Sequence, residues 1–119
     1  MQTAFSPYAA DVLPTAFRYP IAYSQLSEAQ ELPDFGPWWF IDANSKAGEL
    51  AWSVRNHDGR NLVHFAKVDD GRDDVACFDG DDSSGNPAVL ILVLDDSGRT
   101  YSYQDFATWM EVAAADARR

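Results

Sequence analysis

The chain has a single cysteine, Cys77, so no disulfide can form within it. It also lacks a bilayer-spanning run: the apolar stretch 89–94 has six residues, where about 20 are needed. No secretory leader opens the sequence, and the cytoplasm is the expected location. Positive charge is scarce, with nine Lys and Arg against nineteen Asp and Glu, a net charge of −10. The shortage is uneven: residues 1–57 hold six acids and three bases, residues 58–119 thirteen and six. Such a surface repels nucleic acid and anionic lipid, which are bound through Lys and Arg replacing counterions. It attracts cationic proteins or metal ions instead.

Histidine is rare as well. His57 and His64 stand seven residues apart, and neither has a matched nucleophile beside it. His64 falls in a strand pattern, on the face of Leu62 and Ala66, and reads as structural. Cys77 lies between Ala76 and Phe78 among aspartates, which suits an inert buried thiol, because reactive thiols need positive charge and exposure. These absences predict a non-enzymatic protein without a cofactor.

What the sequence does have is apolar mass. Hydrophobic residues make up 46%, including four Trp, seven Phe and five Tyr. At 119 residues this supports one domain over residues 1–119 with a core of its own. Pro7, Pro14, Pro20 and Pro33 make the first third irregular, with a helical turn or two at residues 24–31. Residues 38–41, Trp-Trp-Phe-Ile, read as a strand that sends Trp38 and Trp39 to opposite sides. Residues 45–56 fit either a helix or a strand, and Gly48 weakens the helix.

After the Asp58-Gly59 turn, strands are expected at residues 62–67 and 74–78. A loop at 79–86 leads to an apolar strand, residues 87–94, read as central and covered on both sides. A second turn at 95–98 returns into residues 99–103. The chain closes on a helix: Ser102 and Asp105 resemble a capping box, and Phe106, Trp109, Met110 and Ala113 form one apolar stripe. The fold class is α+β, a mainly antiparallel sheet packed by helices on one side.

The most informative segment is residues 69–82, DDGRDDVACFDGDD. It places seven aspartates and one arginine around Val75-Ala76-Cys77-Phe78. Strand-forming residues inside the run predict that a folded sheet holds the charges in place, as a surface for a basic partner would require. The candidate partner-binding residues are Asp69, Asp70, Asp73, Asp74, Asp79, Asp81 and Asp82. The same aspartates also suit solvated loop tips, and their mutual repulsion is screened beyond about 8 Å. A calcium loop starting at Asp79 fails: Ser84 stands at position 6 where glycine is needed, and Leu90 at position 12 in place of the bidentate Glu. No metal ligand set is assigned.

Several of these strings resemble the SUKH superfamily, named partly for yeast cell-wall-assembly regulators and common among bacterial toxin-immunity proteins. The strings are Leu62-Val63-His64-Phe65-Ala66, the loop Asp69-Asp70-Gly71, Ala76-Cys77-Phe78-Asp79, the opening Pro87-Ala88-Val89, and Ser102 with Phe106 and Trp109. Together they cover about residues 60–112. The resemblance implies an immunity protein that neutralises a cognate toxin's C-terminal domain by stoichiometric binding. Such domains are often nucleases with basic channels, which an aspartate-rich edge could occupy as a phosphate mimic. Two other readings stand beside it: a scaffold or regulatory adaptor for a cellular protein, and a divalent-metal-binding domain built on the aspartates.

Overall fold

A computed structural model describes residues 5–29, 32–56, 59–68, 74–93 and 101–117. The expected turn at 95–98 lies outside these residues. Among them the order is α1 (Ile21–Ser27), β1 (Trp38–Phe40), α2 (Lys46–Ser53), β2 (Leu62–Val68), β3 (Asp74–Asp79), β4 (Val89–Val93), β5 (Ser102–Tyr103) and α3 (Phe106–Ala117). The strands form one antiparallel sheet in the order β1-β2-β3-β4-β5. The α+β class and the C-terminal helix are as expected. No described helix is long and apolar enough to cross a membrane.

One face of the sheet carries the main core. Phe40, Phe65, Phe78 and Ile91 point into it and meet Phe106, Trp109 and Ala113 of α3, Tyr23 of α1, and Phe5 and Phe17 of the irregular N-terminal segment. Phe65 and Phe78 stack with ring centres 4.3 Å apart, and Trp109 meets Phe65 edge-on at 4.9 Å. Aromatic pairs of this kind contribute about 0.5–1.5 kcal/mol beyond the area they bury. The α3 stripe thus lands as the sequence places it: Phe106, Trp109 and Ala113 are buried and Met110 packs at the margin. Trp38 faces this core, and its indole N–H donates to Asp116 Oδ2 at 3.1 Å, tying the sheet edge to the end of α3. Trp39 takes the other face.

Several local expectations change. The first helix begins at Ile21, directly after Pro20, rather than at residue 24; proline is tolerated there because a helix start leaves N–H groups unused. Asp105, not Ser102, caps α3: its Oδ1 accepts from the Thr108 backbone N–H at 2.9 Å, while Ser102 lies in β5 and pairs with Leu90 of β4. His64 does not share a face with Ala66. The register runs His64–Cys77 and then Ala66–Ala76, so Phe65 is an extra residue in β2. This bulge sends both Phe65 and Ala66 to the main core and leaves His64 opposite, with Leu62. Finally, β4 is fully covered on one side alone: Val89 and Ile91 are buried, while Leu90 and Leu92 are half-buried against the second cluster of Ile41, Leu62, Val75 and Cys77.

Residues 46–53 are helical despite Gly48. Ser45 caps α2 by accepting from the Gly48 N–H at 3.0 Å. The helix lies so close to the preceding turn that a side chain at position 48 has no room; a Cβ there would sit 2.1 Å from the Asp42 carbonyl oxygen. Close approach, rather than helix propensity, selects this glycine. The Tyr8 hydroxyl donates to the Gly48 carbonyl at 2.5 Å, joining the N-terminal segment to the helix. Burial pushes the Tyr8 phenol up to about 12 and those of Tyr19 and Tyr23 further, so all three stay neutral through the physiological range.

Candidate functional site

The loop from β3 to β4 is built by its own aspartates. Asp79 Oδ1 accepts from the Asp81 backbone N–H at 3.0 Å. Asp82 Oδ1 accepts from the Ser84 N–H at 2.9 Å, and its Oδ2 from the Ala88 N–H at 3.2 Å. Ser84 Oγ accepts from the Asn86 N–H at 3.1 Å. Short polar side chains that bond the backbone two residues on are what fix such turns. Gly80 presses against β2: its N–H donates to the Asn61 carbonyl at 2.7 Å, and a Cβ would come within 2.6 Å of that oxygen.

A layer of polar residues holds the loop from below. Asn61 Nδ2 donates to Asp81 Oδ1 at 3.1 Å, and Asn61 Oδ1 in turn accepts from Arg55 Nη1. The Arg55 guanidinium lies 4.3 Å over the Trp52 ring, a cation–π contact that fixes its position. On the other flank Asn86 Nδ2 donates to Asp105 Oδ2 at 3.4 Å, which brings Asp105 beside the loop. Asp81 is exposed and Asp79, Asp82 and Asp105 are half-buried, so four carboxylates share one end of the sheet.

Hydrogen bonds hold two of these carboxyls below the usual range. For Asp82 the donors are the Ser84 hydroxyl and backbone N–H, then the Ala88 N–H; for Asp105 they are Thr108 and then Asn86. An aspartate in the unfolded chain titrates near ~3.9. Since the folded values lie lower, the stabilisation is complete above about pH 4 and fades as pH falls through them. Asp82→Ala is therefore expected to lower the urea midpoint at pH 7, with a gap to wild type that narrows below pH 4. A gap independent of pH would contradict the assignment.

The seven aspartates do not form one patch. Asp69, Asp70 and Asp73 lie outside the described residues. Asp74 opens β3 and is fully buried, with its Oδ2 accepting from the Tyr101 hydroxyl, so it is no surface ligand. Asp79 closes the same strand, five residues on, which separates the two ends by about 17 Å. Asp79, Asp81 and Asp82 remain together. Asp105 joins them, and its signal in the sequence was an aspartate directly before the apolar stripe, in the position of a helix cap. Asn61 and Asn86 left no comparable signal.

Among the described residues no group of three or more His, Cys, Asp and Glu could hold a metal ion. What the site offers is fixed negative charge with free acceptor lone pairs, suited to Lys or Arg. Comparison with family models, curated proteins and solved structures returned no match.

Proposed function

We propose that this protein is an immunity protein, a cytoplasmic inhibitor that binds a cognate bacterial toxin domain one to one without turnover. The observation that carries the reading is the β3–β4 loop, whose Asp79 and Asp82 carboxylates are locked by backbone N–H groups, and Asp81 by the Asn61 amide, before any partner arrives. Preorganisation matters because immobilising a flexible charged side chain on binding costs about 0.5–1.5 kcal/mol each. Here much of that ordering is complete in the free protein. The net charge of −10 acts over longer range, steering a basic domain toward the molecule. The resemblance of residues 60–112 to the SUKH superfamily supplies the biological setting, and a basic nuclease channel is the expected target.

The test uses the domain encoded directly upstream. Asp79→Asn combined with Asp81→Asn removes two charges and keeps an oxygen acceptor at each position. Asp82 is left alone, because both of its oxygens hold the loop. The double variant is expected to associate about tenfold more slowly at low salt, and its rate should vary less with ionic strength. Unchanged kinetics would remove the loop from the interface. Wild-type protein that neither binds nor protects would overturn the immunity reading and favour an adaptor for another cellular protein.

A further inference from the structure

The second face of the sheet carries a feature that the acidic loop does not explain. The strand register sets Trp39, Lys67, Val75 and Leu92 side by side in one row across β1, β2, β3 and β4. Residues of α2 and of this row together line an apolar groove of about 250 Å³, walled by Leu50 and by Val54 at the α2 C-cap. Leu50 is 66% exposed and Val54 45%. They stand four residues apart on one side of the helix, so both open to solvent over the same concave floor. Scattered exposed aliphatics need no explanation; aligned over an apolar groove, they mark a binding surface.

We infer that this groove binds a small amphipathic anion, an apolar chain or ring ending in one carboxylate. The apolar part lies on Trp39, Val75 and Leu92 beneath Leu50 and Val54, and the carboxylate pairs with Lys67. Lys67 is the one formally charged residue among the described residues lining the groove. It is half-buried, with Trp39 and Val75 as its cross-strand neighbours, and it lines the groove. An ammonium beside an apolar floor favours a carboxylate through a charge-assisted hydrogen bond and disfavours a cationic head group.

Size narrows the class. The volume falls just below the ~300–1,000 Å³ of common ligand pockets, and an α-helix about 10 Å across does not fit. From Lys67 to Leu92 is two strand spacings, about 10 Å, within reach of a medium-length acyl chain. The site lies apart from the acidic loop, since Val75 stands four residues before Asp79 on β3, about 13 Å away.

Calorimetric titration of the whole protein with octanoate, octanol and octylammonium at matched ionic strength tests the inference. Octanoate is expected to saturate at one equivalent, octanol to bind about tenfold more weakly, the equivalent of one ion pair of ~1.4 kcal/mol, and octylammonium more weakly still. Lys67→Met should bring octanoate down to the level of octanol and leave octanol unchanged. Leu50→Ser, at an exposed position that the fold does not need, should weaken both. Equal binding of all three probes, no saturable octanoate binding, or octanoate affinity indifferent to Lys67→Met would each overturn it.

Discussion

Trp109→Ala is expected to cost about 3–5 kcal/mol, a large part of the ~5–15 kcal/mol that keeps a domain folded. Trp109 is 1% exposed. Its ring lies against Phe35 (5.9 Å), Trp38 (5.5 Å), Phe40 (6.0 Å), Phe65 (4.9 Å) and Phe106 (5.6 Å), from α3, the sheet and the segment before β1. Truncation to alanine leaves a cavity that rings fixed by a sheet and a helix cannot collapse to fill. Trp109→Phe should cost clearly less. The phenyl ring keeps most of the contacts, and the indole Nε1, buried without a hydrogen-bond partner among the described residues, is removed along with its desolvation penalty. Urea unfolding of both variants checks this. Equal losses for Ala and Phe would mean that the packing around position 109 is not what stabilises it.

The second large effect has an unexpected sign. In an ordinary helix, Gly→Ala stabilises by roughly 0.5–1 kcal/mol. At Gly48 the new methyl would meet the Asp42 carbonyl oxygen at 2.1 Å and Ala43 Cα at 2.9 Å, both backbone atoms that cannot swing aside. Relief requires α2 to lift away from the turn, disturbing the Ser45 cap and the Tyr8 hydrogen bond to the Gly48 carbonyl. Overpacking of this kind costs about 1–3 kcal/mol. Gly48→Ala is thus expected to melt several degrees below wild type, and a stabilised variant would show that α2 does not sit against the backbone of Asp42 and Ala43.

How far the sequence announces this structure depends on whether the cause is local. Residues 62–67, 74–78 and 106–113 could be read because their strand and helix patterns agree with what surrounds them. α2 was ambiguous because Gly48 answers to a tertiary contact with Asp42, which no window of sequence contains. The bulge at Phe65 was hidden for a related reason: alternation predicts one face for Leu62, His64 and Ala66, and a single extra residue shifts Ala66 to the other. The acidic run misled through proximity along the chain. Its members are neighbours in sequence, yet β3 carries Asp74 and Asp79 to opposite ends, one into the core and one to the loop. Asp105, far away in sequence, joins the same loop because the cap of α3 meets Asn86.

Fixed charge offers something that a flexible acidic tail does not: orientation. A tail attracts any cation, whereas carboxylates locked by the Asp81, Ser84 and Ala88 amides present a set spacing to a partner. Specific neutralisation of one basic domain needs the second property as well as the first.

The most direct measurement of this account is calorimetric binding between the protein and the C-terminal domain encoded immediately upstream, at low and at moderate salt. The expected result is one-to-one binding in the nanomolar range that weakens as salt rises. No binding, or tight binding indifferent to salt, would contradict a role for the acidic loop in toxin neutralisation.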